Sequence, residues 1–275
     1  MPLVTLTSDI GHQDYLIGAV KGRLLSINPE FKIIDITHNL SPFNYPQAAY
    51  VCRSAIKNFP EFSYHIILVN LFDSKPDQIL FTFHDNQYLL CADNGLLGMI
   101  TEEKPEMLIG VPLEKTAIKN TLYCIEVAAK AITQLMNGEP AENIGIPDPE
   151  YIEKNPLRPL HGDDWIEGQI IFIDNFENVV VNITQEQFEE QRRGRSFKIV
   201  FKRDEVIDRI SGSYADVPHG EKLVLFNSAG YMEIAINKGN AAGLFGLQGY
   251  SENNTEVSVL QKNRLFYQTV KVYFV

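Results

Sequence analysis

The stretch HIILVNLFDSKP, residues 65–76, decides the fold. Its first five residues read as a buried β-strand, and the strand then stops abruptly in a polar loop that contains no glycine. Two earlier segments prepare it. LVTLT (3–7) reads as a strand, and DYLIGAVKGRLLSINP (14–29) reads as a helix with Leu16, Val20, Leu24 and Ile27 on one face, Asp14 able to cap it and Pro29 beyond its end. KIIDI (32–36) is a second strand, and Pro46 opens a second helix that runs to about residue 58. Strand, helix, strand, helix, strand implies right-handed crossovers and an α/β domain with a mostly parallel sheet covered on both faces. ILFTF (79–83) and QYLLCA (87–92), joined by HDN, form a hairpin, and IEVAAKAITQLMNG (125–138) supplies one more helix. Ligands of such sheets collect outside the carboxyl ends of the strands, which is where Ser8, Asp9, His38 and Asn70 fall.

The texture changes after residue 150. IPDPEYIEKNPLRPLHGDD (146–164) carries four prolines and little periodicity, so residues 151–164 read as a linker between an α/β domain at 1–150 and a module at 165–275. That module, with short strands such as WIEGQIIFID, VVVNI, FKIVF, KLVLF, YMEIAI and TVKVYFV, reads as all-β and barrel-like.

Composition restricts the function. A net charge of −11 over 275 residues opposes long-range attraction to nucleic acid or to an anionic membrane surface, so a small-molecule ligand is the expected partner. Cys52, Cys91 and Cys124 lie apart in apolar surroundings, which reads as buried free thiols in a reducing cytoplasm. The first residues show no basic segment followed by an apolar one, and no uncharged apolar run is long enough to span a bilayer. Walker, GxSxG, HExxH and GxGxxG patterns are absent, and Asp9, His12 and Asp14 match no standard metal spacing. Neither a metal nor a cofactor is expected.

Taken singly, the remaining motifs have plain local readings. Asp9 suits a turn and helix cap as well as an acid for ligand hydroxyls. By default His38 faces solvent and Phe43 the core, ADNGLL (92–97) is an Asn-Gly turn, and IDNFENVVVNI (173–183) is a hairpin. FNSAGYMEIAINKGNAAGLFG (226–246) joins two strands to a loop of small residues that a ligand could approach closely.

In combination they point further. SDIG with DYLIGAVKG, INPEFKIIDITHNLSP, AAYVCRSAIKNFPE, ADNGLL, IIFIDNFENVVVNI and NSAGYMEIAINKGNAA together resemble the S-adenosylmethionine hydroxide adenosyltransferases, the family that also holds the nucleophilic fluorinases and chlorinases. The resemblance implies an α/β domain plus a β-barrel-like domain. It also implies a homotrimer with S-adenosylmethionine between one subunit's first domain and a neighbour's second, and displacement of methionine at the ribose 5′ carbon. It implies Asp9 for the ribose diol, Phe43 beside the ribose, Asp174 and Asn178 for the methionine end and Phe176 on the adenine side. Ser228 and the backbone at Asn240 and Ala241 would hold the methionine carboxylate and adenine edge. DNFEN is one residue shorter than in the fluorinase form, and Ala229 stands where that form has arginine.

The departures fall at the nucleophile. Hydrolytic members keep an aspartate, an arginine and a histidine to orient or activate water. In VNLFDSKPDQ (69–78) Asn70 stands at the aspartate and Asp77 near the arginine, while in KNTLYCIEVAA (119–129) Thr121 falls at the histidine. The expected activity is therefore hydrolysis of S-adenosylmethionine to adenosine and methionine at a rearranged site using Asn70, Asp73, Asp77 and Thr121. The alternative is a catalytically impaired protein that binds or senses S-adenosylmethionine or adenosine. Two carboxylates in LFDSKPD, only partly offset by Lys75, disfavour a halide nucleophile.

Overall fold

The computed structural model describes residues 2–74, 76–202, 205–247 and 268–275; Lys75 lies outside them. The chain divides into two compact units, Met1–Pro156 and Leu157–Val275.

In the first unit the elements run β1 (Leu3–Ser8), α1 (Leu16–Ile27), β2 (Lys32–Thr37), α2 (Tyr45–Ile56), β3 (Tyr64–Leu68), β4 (Gln78–His84), β5 (Gln87–Ala92), α3 (Leu96–Thr101), β6 (Met107–Pro112), α4 (Thr121–Met136) and β7 (Ile146–Pro147). The sheet order is β2-β1-β3-β5-β4-β6-β7. β1 pairs in parallel with β2 and β3, and β3 with β5, whereas β4 is antiparallel to both β5 and β6, and β6 to β7. The expectation of a mostly parallel sheet is thereby corrected to a mixed one. The cause is the hairpin: Asp85 and Asn86, at φ 48° and 58°, turn β4 straight back into β5, and the outer edge of β4 is then filled by an antiparallel β6.

Both faces are covered. Val4, Leu6, Ile66, Leu68 and Phe81 pack against Val20 and Leu24 of α1 and Ile125, Ala128 and Ile132 of α4. The alternate strand positions Ile67, Val69, Leu80, Leu89 and Cys91 pack against Ala48, Cys52 and Ile56 of α2 and Leu96, Leu97 and Ile100 of α3. This period of two explains why the runs are continuously apolar. Asp14 accepts the N–H of Leu16 at 2.8 Å at the start of α1. ADNGLL does not close a hairpin: Gly95 sits at φ +90°, Leu96 donates its N–H to the Asn94 side chain, and α3 begins there. α4 starts four residues earlier than the pattern suggests, because the Asn120 side chain caps it by accepting the N–H of Tyr123. The three cysteines are free and buried.

The second unit contains β8 (Leu160–His161), β9 (Trp165–Ile173), β10 (Val179–Thr184), α5 (Gln185–Arg192), β11 (Phe197–Lys202), β12 (Glu205–Ile207), β13 (Lys222–Phe226), β14 (Tyr231–Ile236) and β15 (Thr269–Phe274). The antiparallel order β12-β11-β15-β9-β10-β14-β13 makes a nearly closed, barrel-like sheet. The long β9 belongs to both halves, and its Gly168 is where a Cβ would meet Val181 Cγ1 at 2.6 Å, so the strands can cross closely only at glycine. This unit is not purely β. α5, held by a capping box between Thr184 and Gln187, carries the fully buried Phe188 into the core beside Phe197, Phe226 and Phe274.

Residues 151–156 pack with the first unit, where Ile152 donates its N–H to Asp93, and Leu160–His161 pairs with β9 in the second. Among the described residues no helix is long and apolar enough to cross a membrane.

His65, fully buried on β3, sits 2.7 Å from Thr5 Oγ1 through Nδ1 and 3.3 Å from Gln87 Oε1 through Nε2, and burial pushes its pKa down to about 4. Unfolding returns the ring to about 6.5, so its contribution is present above that pH and is lost as pH falls towards 4. Between pH 7 and 5 this one group should remove about 2 kcal/mol of unfolding free energy. Denaturant titrations of wild type and His65→Gln at the two pH values check this, the variant showing the smaller acid loss.

Candidate functional site

In the first unit the expected residues gather at the carboxyl ends of β1 and β3. Asp9, half-buried just after β1, accepts the backbone N–H of Asn70 at 2.9 Å through Oδ2. Burial raises its pKa, opposed by that backbone hydrogen bond. Asn70 takes φ +45°, a conformation that asparagine tolerates better than most residues, and this is how a loop without glycine turns so sharply. Its carbonyl and that of Val69 accept the buried Asn94 side-chain amide at 3.0 and 2.9 Å. Its own amide Nδ2 donates to Tyr45 Oη at 2.7 Å and to Asp73 Oδ1 at 2.9 Å.

Asp73 is held from several sides. Asn70 and Tyr45 hydrogen-bond to it, and the Lys154 ammonium lies 3.5 Å from Oδ2; chiefly through the Asn70 bond, these hold its carboxyl below the usual range. Lys154 also donates to Asn94 O at 2.6 Å and stands 3.8 Å from the centre of the Tyr45 ring. Its side chain runs along Gly95, where an added Cβ would approach Lys154 Cγ to 2.4 Å. Tyr45, Asn94 and Lys154 escaped the sequence reading. Tyr45 and Asn94 looked like parts of a helix start and a turn, and Lys154 lies in a proline-rich segment with no periodicity.

Asp77 and Thr121 fall elsewhere in the unit. Asp77 forms an ion pair with Lys119 at 2.9 Å, and Lys119 also donates to Pro76 O. Thr121 is the first residue of α4, two positions after that lysine. The loop after β3 is thus tied to the start of α4 by a lysine and not by Thr121.

The defaults for His38 and Phe43 are reversed. His38 is fully buried, its Nδ1 2.7 Å from Ser8 Oγ and its Nε2 3.2 Å from Asp35 Oδ1; burial lowers its pKa, opposed by Asp35. Its carbonyl accepts the N–H of Gly11, so the loop after β1 is clamped to the end of β2. Phe43 is 57% exposed at φ +62°. A left-handed backbone at a residue other than glycine costs about 1–3 kcal/mol.

In the second unit Asp174 organises the loop between β9 and β10. It accepts the N–H groups of Phe176 and Asn178 and the Asn178 side-chain amide, at 2.8–3.0 Å. Phe176 is left 75% exposed at the tip. The carbonyl of Glu177 accepts the N–H of Ala242, which brings the loop against buried Ala241 and exposed Asn240, whose Oδ1 accepts the N–H of Gly243. Ser228 is exposed in a tight turn organised by Asn227, whose Oδ1 accepts the N–H groups of Ala229 and Tyr231. The sequence reading missed Glu233. It is 3% exposed on β14, bonded to Tyr214 Oη at 2.7 Å, and its pKa is raised by burial and then by the charge of Asp174. It sits inside a hydrophobic strand pattern, so nothing local marks it.

Among the described residues no three His, Cys, Asp or Glu side chains form a group that could hold a metal ion. Each unit by itself presents a hydrogen-bonded carboxylate and an exposed aromatic ring, Asp73 and Phe43 in the first and Asp174 and Phe176 in the second.

Comparison with known proteins gives the same outline. Residues 4–145 match the model of the SAM hydroxide adenosyltransferase N-terminal domain and 168–252 that of its C-terminal domain. The chain is 27% identical to an (R)-S-adenosyl-L-methionine hydrolase of Methanocaldococcus jannaschii, over 92% of this chain and 95% of that protein. It is 24% identical to a fluorinase of Nocardia brasiliensis, over 90% and 94%. The fold is that of a conserved protein from Thermotoga maritima, with a TM-score of 0.79 at 23% identity over 98% and 99% of the two chains.

The packing of Gly95 on Lys154 can be checked directly. Gly95→Ala should lower the unfolding free energy by about 1–3 kcal/mol, since it combines a left-handed backbone with a clash. In a denaturation double-mutant cycle, Lys154→Ala should relieve part of that loss; additive losses would exclude the contact as its cause.

Proposed function

The chain belongs to the SAM hydroxide adenosyltransferase family, and from that premise we propose that it hydrolyses S-adenosylmethionine to adenosine and methionine by displacement at the ribose 5′ carbon. The observation that carries the reading is the junction of Asp9 with Asn70, a half-buried carboxylate fastened at the ends of two parallel strands where this fold receives ligands. The relatives from Methanocaldococcus jannaschii, Salinispora tropica and Thermus thermophilus that carry the hydrolase name support it.

The chemistry asks little of the protein. Methionine leaves a sulfonium as a neutral thioether, so the leaving group needs neither acid nor metal. Water must be held in line with the breaking S–C5′ bond, and the substrate must be kept from rotating. In this reading Asp9 accepts from the ribose hydroxyls and Phe43 covers the sugar. Asp174 and Asn178 receive the methionine ammonium, and Phe176 lies along the adenine. Ser228, Asn240 and Ala241 fix the carboxylate and base edge. The active assembly is a homotrimer in which the two sets of residues come from different subunits.

A second reading, binding without turnover, is favoured by the neutral amide of Asn70 at the position where the family resemblance implies a carboxylate. Chromatography of adenosine and methionine after incubation with S-adenosylmethionine, with calorimetry in parallel, separates the two. Product formation supports hydrolysis, whereas heat of binding without product supports the second reading. Asp9→Ala should lower kcat/KM roughly 10- to 100-fold, as expected for loss of a charged hydrogen-bond acceptor. A rate untouched by that change would remove Asp9 from the site.

A further inference from the structure

Asn70 has two side-chain protons, and both are used: Nδ2 donates to Tyr45 Oη at 2.7 Å and to Asp73 Oδ1 at 2.9 Å. An ionised carboxylate only accepts, so the nitrogen must face Asp73 and the amide cannot be flipped. Oδ1 therefore points the other way, and among the described residues it accepts no hydrogen bond. The partners are themselves pinned. Asp73 also receives Tyr45 and the Lys154 ammonium, and Lys154 is pinned by Asn94 O, the Tyr45 ring and the bare backbone of Gly95. Asp73, with three donors on it, is a poor proton acceptor; its role in this network is to hold the amide.

We propose that Asn70 Oδ1 accepts a hydrogen bond from the attacking water and orients it, and that Asp73, Tyr45 and Lys154 are positioning residues that lock the amide with this oxygen outward. The proposal rests on the hydrolase reading above. In the step, the water oxygen forms a bond to C5′ while the S–C5′ bond breaks and its electron pair returns to the methionine sulfur. The proton released from the new 5′ oxygen passes to solvent, because an amide oxygen is too weak a base to keep it. The products are adenosine, methionine and one proton.

The lock predicts a result opposite to that of a simple missing base. Asn70→Asp alone removes both donors and sets a second carboxylate against Asp73, so it should turn over at least 10-fold more slowly than wild type. The isosteric exchange Asn70→Asp with Asp73→Asn restores a donor to the new carboxylate, which then faces the water as a base. That variant should exceed wild type, by up to about 10²-fold, the lower end of what a positioned base supplies. Lys154→Met should lower kcat about 10-fold with KM for S-adenosylmethionine changed less than 2-fold, and Lys154→Arg should recover most of it. Asn70→Asp as fast as wild type, an exchange variant no faster than Asn70→Asp, or Lys154→Met moving KM instead of kcat would each overturn the lock. If the wild-type protein binds S-adenosylmethionine and yields no adenosine, the hydrolase reading itself fails and this proposal with it, an outcome distinct from a working enzyme whose variants disobey the lock.

Discussion

The N–H of Asn70 donates to the carboxylate of Asp9, and much of the first unit is arranged around that one bond. It joins the loops that leave β1 and β3, strands that run in parallel and so end side by side. A parallel pair delivers both loops to the same edge, whereas an antiparallel pair would send them to opposite ends. The left-handed turn at Asn70 then points its side chain at Tyr45 on the first turn of α2 and its carbonyl at the Asn94 amide before α3. One residue thus touches three of the loops that meet at this edge. Glycine would permit the turn and supply none of the side-chain bonds.

Electrostatics follow from the same arrangement. Asp9 and Asp73 both bond to Asn70, yet their carboxyl groups are driven in opposite directions. Asp9 is desolvated and receives one backbone N–H from this loop, and burial raises its pKa. Asp73 is near solvent and collects an amide, a phenol and an ammonium, so its ionised form is favoured. In the second unit the charge of Asp174 is felt by Glu233, whose pKa burial raises. Asp174 is satisfied by three donors of its own loop, and Glu233 is buried behind it with a tyrosine. Both units place one well-bonded acid beside one whose pKa burial raises.

The strand and helix runs of the first unit were legible because each apolar face repeats at its own period, and the Asp85–Asn86 turn was legible from its residues. The direction of β4 was harder. ILFTF is as apolar as a parallel strand, and only the turn chemistry shows that it runs back along β5. α3 was hidden because Asn-Gly is both a hairpin turn and a cap followed by a left-handed residue, and what comes next in space decides between them. α5 was hidden because a polar helix with a single buried phenylalanine has almost no periodic signal. His38 and Phe43 exchanged their expected places for a tertiary reason: Ser8 and Asp35 converge on the ring of His38 from two strands, while the backbone at Phe43 turns its side chain outward.

The sequence by itself determined the alternation of elements, the change of texture near residue 150, the strand ends at which Asp9 and Asn70 stand and the family motifs around them. These are properties of neighbours along the chain, set by side-chain periodicity and by turn residues. Only the tertiary structure decided which way the Asn70 amide faces, that Asp73 is a partner of Lys154 and Tyr45, and that Glu233 lies buried near Asp174. Lys154 is 81 residues from Asp73, and Tyr45 is 25 from Asn70. A hydrogen bond depends on distances of a few tenths of an ångström and on angles, and no pattern of residue types carries that information until the chain has folded.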